Sequence, residues 1–181
     1  MKACVVFDTR YGNTERIARS LEAGLKSAQV ETSCVNEKEA SQALLSEYDL
    51  ICVGGPTHHR TASEPMQKFL ESLKGADLSD KLTFAFDTKR DSPLAGSAAK
   101  FIEERLRGLG SKVVIQRMSA IILDPPPEDG RQPSESKYDW KERRHRTARL
   151  QDGEEERFRE VGSKIGAALS TRSAWNLDKG G

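Results

Sequence analysis

Short β-rich runs alternate with helical repeats along most of this chain, and this alternation limits the possible folds. Strands are predicted over ACVVF (3–7), VETSCV (30–35), DLICVGG (49–55), KLTFAFD (81–87) and KVVIQRMSAIIL (112–123). Helices are predicted from Thr14 to Ala28, over EASQALLSEY and SEPMQKFLESL, and over 98–109 and 158–169. Because each parallel crossover needs a helix to return the chain, the pattern predicts an α/β fold: a five-stranded parallel sheet with helices on both faces, a three-layer sandwich.

Length and charge limit the organisation and the function classes. A chain of 181 residues can bury one sizeable core. We therefore expect one domain over 1–170, with a Pro-rich and basic insertion at about 124–149 and a mobile tail at 171–181. Lys and Arg number 29 against 28 Asp and Glu, so net charge does not favour nucleic-acid binding. The sequence shows neither a membrane-span pattern nor a signal-peptide pattern, which favours a cytoplasmic protein with reduced, buried Cys4, Cys34 and Cys52.

Ligands of parallel α/β sheets bind at the carboxyl ends of the strands. The loops to consider are therefore Asp8 to Asn13, Pro56 to Ala62 and Asp87 to Leu94. In the first loop, hydroxyl and amide side chains surround Gly12 just before a helix, which favours an anion site, most naturally for phosphate. An ordinary turn with Asn13 or Thr14 as the helix cap is the alternative. The Walker and Rossmann loops are excluded because GxxxxGK[ST] and GxGxxG are absent.

Three segments in order carry a resemblance to a known family. DTRYGNT (8–14) resembles the phosphate loop of flavodoxins, which binds the phosphate of FMN. DLICVGGPTHH (49–59) resembles the third strand and the loop after it, including in the flavodoxin domains of flavodiiron proteins. LAGSAAKFIEERLRGLGSKVV (94–114) resembles the helix and fifth strand after the other loop beside the flavin. The resemblance implies a flavodoxin-like sandwich with strand order 2-1-3-4-5 and FMN as cofactor.

The resemblance also implies which residues bind FMN. The phosphate would bind Thr9, Arg10, Tyr11, Gly12, Asn13 and Thr14. One side of the flavin ring would be flanked by Pro56, Thr57, His58, His59 and Arg60, and the other by Asp87, Thr88, Lys89, Arg90 and Asp91. Arg10 could bind the phosphate or point into water. His58 and His59 could instead be exposed loop histidines, and a metal site at this pair is disfavoured.

The sequence departs from typical flavodoxins around the expected ring. His58 stands where many have a stacking Trp, and Ser92 where many have a stacking Tyr, so weaker FMN binding is expected. His59 occupies a slot that is often Gly, and a positive φ is costly there. His59, Arg60, Lys89 and Arg90 outnumber Asp87 and Asp91, which would raise the potential of a bound flavin. Two-electron chemistry, as in flavodoxin-fold quinone reductases, becomes more plausible.

The functional expectation is a flavoprotein that acts in electron transfer or flavin-dependent reduction. It could be an electron carrier or an FMN-dependent oxidoreductase, with a redox partner protein or a small-molecule electron acceptor. The alternative is a flavodoxin-fold binding or scaffold protein that has lost its flavin. No catalytic side chain and no metal site is predicted, because the flavin would carry the chemistry.

Overall fold

The structure is a computed structural model that describes residues 1–92, 94–124 and 146–177. Its strands are β1 (Lys2–Phe7), β2 (Glu31–Asn36), β3 (Leu50–His58), β4 (Thr61–Ala62), β5 (Leu82–Arg90), β6 (Lys112–Val113), β7 (Met118–Leu123) and β8 (Arg149–Leu150). Its helices are α1 (Asn13–Ser27), α2 (Gln42–Ser46), α3 (Glu64–Ser72), α4 (Ala98–Gly108) and α5 (Glu154–Leu177).

A parallel sheet with the order β2-β1-β3-β5-β7 forms the centre of the fold. This order is the predicted 2-1-3-4-5, since β5 and β7 are the fourth and fifth long strands. β8 adds an antiparallel edge to β7, and β4 pairs antiparallel with the end of β3. The sequence did not predict either of these two-residue strands.

The predicted fifth strand over 112–123 is wrong as a single element. β6 and β7 both pair with β5, but the chain between them leaves the sheet. Here the backbone N–H of Arg117 donates to a carboxylate oxygen of Glu103 on α4 at 3.2 Å, and its guanidinium contacts the other oxygen at 3.2 Å. Because Glu103 is buried, this ion pair holds the interruption against α4.

The two faces of the sheet bury separate hydrophobic clusters. Val5 and Phe7 pack with α1 and α5 on one face, whereas Val6 and Val53 pack with α3 and α4 on the other. Alternate residues of a strand point to opposite faces, so a strand covered on both sides must be apolar throughout. The continuous apolar sequence of β3 has this cause.

The two ends of the predicted insertion lie side by side in the sheet. The chain leaves β7 through Asp124 and returns through β8, whereas 125–145 lies outside the described residues. α5 continues to Leu177, within the segment predicted as a tail, and 178–181 lies outside the description. The domain limits stay a prediction. Within the described residues, no helix is long and apolar enough to span a bilayer.

The three cysteines are free thiols, with Cys4 and Cys52 buried and Cys34 half-buried. Burial raises the pKa of Cys4 and of Cys34 to about 12. It raises the pKa of Cys52 as well. The thiolate is the reactive form, so these side chains are inert packing groups near neutral pH.

Candidate functional site

A cavity of about 480 Å³ opens at the carboxyl ends of the parallel strands. The loop between β1 and α1 contributes Thr9, Arg10, Tyr11, Asn13 and Thr14 to its wall. The end of β3 contributes Pro56, Thr57 and His58, and β5 contributes Thr88 and Arg90. The cavity therefore brings together residues from all three loops that the sequence selected.

The first loop leads directly into the N-terminus of α1. Gly12 is the N-cap residue of α1 and has a φ of 85°, a conformation that glycine adopts at little cost. Its N–H donates to the hydroxyl oxygen of Thr9 at 3.0 Å, which shapes the turn. No side chain among the described residues caps α1. The N–H groups of its first turn and its dipole thus favour an anion.

Two side chains predicted to bind phosphate also anchor this loop. The Thr14 hydroxyl is buried and lies 2.9 Å from the hydroxyl of Thr88 on β5. The side-chain amide of Asn13 donates to the backbone carbonyl of Ala148, next to β8, at 2.9 Å. These bonds fix the start of α1 against the sheet on one side and against the returning end of the insertion on the other.

The second loop is a tight hairpin between β3 and β4. His59 and Arg60 connect the paired residues His58 and Thr61, and both have a positive φ, 47° and 70°. A two-residue type I′ turn requires this conformation and usually contains Asn-Gly. Contrary to the sequence expectation, His59 therefore adopts the positive φ. His59 and Arg60 do not line the cavity.

His58 lies at the rim of the cavity and is exposed, as is His59. The centroids of their rings lie 4.1 Å apart in an edge arrangement. Partial burial, then His59 and Arg10, lower the pKa of His58. The imidazole is therefore largely neutral at neutral pH and offers an uncharged ring to a ligand.

The third loop uses Asp87 to hold α4. The buried carboxylate oxygen Oδ2 accepts hydrogen bonds from the Thr57 hydroxyl at 3.0 Å, the Ser97 hydroxyl at 2.8 Å and the Ala99 N–H at 2.9 Å. The Thr57 hydroxyl oxygen in turn accepts from the Ala98 N–H at 2.9 Å. Asp87 does not line the cavity, and neither do Gly12, Lys89 and Asp91.

Sequence reasoning missed part of the cavity wall, which also contains Asn36, Glu37, Lys38, Ser63, Glu64, Pro65 and Ile122. Asp8, which lies in the first selected loop without a predicted role, lines the cavity too. The signal was available for the residues after β2, because the carboxyl end of that strand lies at the same sheet edge as the ends of β1 and β3.

Charged side chains of both signs line the cavity. Arg10, Lys38 and Arg90 line it together with Asp8, Glu37 and Glu64, whereas His59, Arg60 and Lys89 lie outside. Arg90 is paired with Asp124 at 2.9 Å, which offsets its charge. Of the four basic residues expected beside the ring, Arg90 lines the cavity, and the expected excess of positive charge around a bound flavin stays a prediction. Across the described parts of the chain, no group of three His, Cys, Asp or Glu side chains could hold a metal ion.

Comparison with known proteins agrees with this geometry. A family profile described as flavodoxin domain matches residues 4–90. A flavodoxin from Clostridium saccharobutylicum is 32% identical over 89 residues, which cover 49% of this chain and 56% of the relative. Over about half of its length, the chain is therefore similar to flavodoxins. The uncharacterized protein MJ0732 of Methanocaldococcus jannaschii is 28% identical over 131 residues, covering 70% of this chain but 33% of that protein.

Solved structures confirm the flavodoxin-like fold. A flavodoxin from the domain Archaea superposes with a TM-score of 0.69 at 22% identity and covers 94% of this chain and 99% of its own. Flavodoxin 1 of Bacillus cereus gives 0.68 at 19% identity, covering 91% and 97%. The rubredoxin oxygen:oxidoreductase of Desulfovibrio gigas gives 0.69 at 19% identity and covers 96% of this chain but 37% of its own.

Proposed function

We propose that this flavodoxin-like protein binds FMN noncovalently and acts in cytoplasmic electron transfer or flavin-dependent reduction. The observation that carries the proposal is the uncapped start of α1, which opens at Gly12 beside the cavity of about 480 Å³. This combination offers an anion site next to a space of the size typical for small-molecule ligands.

The residues present fit FMN. The phosphate would bind at Thr9, Arg10, Tyr11, Asn13 and Thr14 and at the backbone of Gly12, with the Arg10 guanidinium 5.2 Å from the centre of the Tyr11 ring. Pro56, Thr57 and His58 would lie on one side of the ring and Thr88 and Arg90 on the other. His59, Arg60, Asp87, Lys89 and Asp91 would support these loops from outside the cavity. Bound FMN would supply the redox chemistry, and the chain would bind and orient it.

Proteins that share the fold support a proposal for the partner class. Flavodoxins and the rubredoxin oxygen:oxidoreductase of Desulfovibrio gigas share the fold, so a redox partner protein or a small-molecule electron acceptor is proposed for this chain too. Both an electron carrier and an oxidoreductase, for example one that resembles quinone reductases, agree with the cavity. A flavin-free binding protein is the alternative, favoured by the carboxylates in the wall and by an imidazole at the stacking position.

Flavin titration of the purified protein tests the proposal. Absorbance and fluorescence would be recorded with and without added FMN, and riboflavin, which lacks the phosphate, would serve as the matched ligand. FMN should bind with saturation and more tightly than riboflavin, because the phosphate adds charge-assisted hydrogen bonds. A chain that binds neither ligand would support the flavin-free alternative.

A further inference from the structure

One end of the cavity has no role in the assignment above. Asp8 follows β1 and Glu37 follows β2, and both line the cavity although only 7% and 6% of their surfaces are exposed. We call these two residues the carboxyl pair. Charged side chains are rarely buried without a partner, so the pair requires an explanation.

Glu37 has an unsatisfied oxygen. Its backbone N–H donates to the carbonyl of Phe7 at 2.9 Å, which fixes the residue at the sheet edge. Its side-chain Oε2 is buried and has no hydrogen-bond partner among the described residues. Burial, and secondly the charge of Asp8, raise the pKa of Glu37. The free protein therefore leaves a buried acceptor, on a residue of the cavity wall, without a donor.

Asp8 is held in place by its neighbour. The Ser63 hydroxyl donates to Oδ2 of Asp8, and the same hydroxyl oxygen accepts from the N–H of Met66 at the start of α3. Because the cap of α3 fixes the buried Ser63 hydroxyl, movement of Asp8 would leave that hydroxyl without its acceptor. The Asp8 carboxylate is thus held in position before any ligand binds.

The surroundings select the chemistry of the missing donor. A phosphate is disfavoured beside two carboxyl groups because like charges repel. A cation is disfavoured because Lys38 and Arg10 line the same cavity. Neither argument applies to a neutral hydroxyl group. A hydroxyl group can donate to an ionised carboxyl group and accept from a protonated carboxyl group.

We propose that the carboxyl pair is a hydroxyl-binding subsite that receives the ribityl hydroxyls of the flavin cofactor. The inference rests on the proposed function, because it takes FMN as the ligand whose phosphate lies at the start of α1. The ribityl chain joins that phosphate to the ring, so a subsite in the same cavity as the phosphate loop is where its hydroxyls need partners.

Three flavins and three variants test the subsite. Dissociation constants would be measured by fluorescence for FMN, for riboflavin, and for lumiflavin, which lacks the ribityl chain. Glu37→Met keeps the approximate volume but removes the acceptor. It should weaken the binding of FMN and of riboflavin by a similar factor of about five to ten, which corresponds to the loss of one hydrogen bond. The dissociation constant of lumiflavin should not change. Glu37→Gln, which retains an acceptor, should stay within about twofold of wild type.

Glu39→Met is the matched control, since Glu39 is exposed and lies outside the cavity wall. It should change none of the three constants. If Glu37→Met weakens all three flavins equally, or none, the subsite is wrong while the proposed function stands. If the wild-type protein binds no flavin, both are wrong.

Carboxyl ¹³C NMR of the wild-type protein gives a second readout that does not depend on a variant that folds. Riboflavin should shift the side-chain resonance of Glu37, because its hydroxyls reach the carboxyl pair, and lumiflavin should not. An equal response to both ligands, or a response to neither, overturns the proposal.

Discussion

The hydroxyl groups of Thr14 and Thr88 lie 2.9 Å apart and are buried, so the first turn of α1 is tied to β5. Thr14 also belongs to the loop proposed to bind phosphate. The same side chain therefore holds the loop in place and is a candidate ligand donor, two roles that substitution can separate.

Thr14→Val should weaken the binding of FMN by roughly tenfold or more, because a hydrogen bond to a charged group contributes about 1.5–3 kcal/mol. The binding of riboflavin, which has no phosphate, should weaken much less. Thr88→Val is the matched control, since it breaks the same bond to Thr14 but leaves the Thr14 hydroxyl in the loop. Titration of both variants with both flavins checks this. Equal losses of FMN and riboflavin in Thr14→Val would show that Thr14 only anchors the loop.

The hairpin turn stores backbone strain at Arg60. Its φ of 70° is unfavourable for a residue with a Cβ, whereas glycine adopts it freely. Arg60→Gly should therefore be more stable than Arg60→Ala by about 1 kcal/mol, as measured by urea unfolding. The two variants lose the same side chain, so their difference isolates the backbone.

The loop before α4 packs directly against this turn. Gly96 packs so closely that a Cβ there would clash with the carbonyl oxygen of Arg60. Gly96→Ala should accordingly destabilise the protein. If Arg60→Gly and Arg60→Ala were equally stable, the turn would not have the strained conformation described.

A pH dependence is expected from Glu37 in the flavin-free protein. Burial raises its pKa in the folded state, so between the unfolded and folded pKa values the folded protein binds more protons. The free energy of unfolding therefore falls as the pH rises through that window. Glu37→Gln should remove this loss and be more stable than wild type at pH 7, with a smaller difference near pH 4.

Urea unfolding at both pH values measures this difference. Glu39→Gln is the control, because an exposed glutamate should show the same small effect at either pH. A stability difference between Glu37→Gln and wild type that does not change with pH would contradict the assigned cause.

The sequence predicted the central sheet because its strands carry strong local signals. The apolar runs of β1, β3 and β5 are buried on both faces, and the helices between them repeat at helical spacing. The break between β6 and β7 could not be predicted in this way. It depends on the contact of Arg117 with Glu103 on another element, which no local pattern reveals.

The candidate site likewise combines features that a local sequence pattern predicts with features that depend on contacts between distant elements. The glycine at position 12 and the hydroxyl side chains around it are a local signal: Gly12 precedes α1, and Thr9, Tyr11 and Thr14 line the cavity. The role of Asp87 depends on the start of α4, ten residues further along, and the carboxyl pair depends on two strands that meet only in the fold. Sequence adjacency suggested that Lys89 and Arg90 act together, whereas alternation along β5 separates them.

The potential of a bound flavin should depend on Arg90 and not on Lys89. Arg90 lines the cavity, and its guanidinium lies 2.9 Å from Asp124, whereas Lys89 is outside the wall. Arg90→Gln removes a positive charge and leaves the Asp124 carboxylate, which disfavours the negative charge that reduction adds. After solvent screening, the interaction amounts to about 0.5–1 kcal/mol, which lowers the midpoint potential of a two-electron couple by roughly 10–20 mV. Redox titration at low ionic strength measures the shift, which should shrink in high salt.

Two further variants separate charge from structure. Lys89→Gln also removes one positive charge but should leave the midpoint potential within a few millivolts, because its side chain does not face the cavity. The double variant Arg90→Gln/Asp124→Asn removes the whole ion pair, and because the local net charge is then as in wild type, most of the shift should disappear. Equal shifts in Lys89→Gln and Arg90→Gln would show that the flavin responds to the overall charge of the protein and not to the pair at the end of β5.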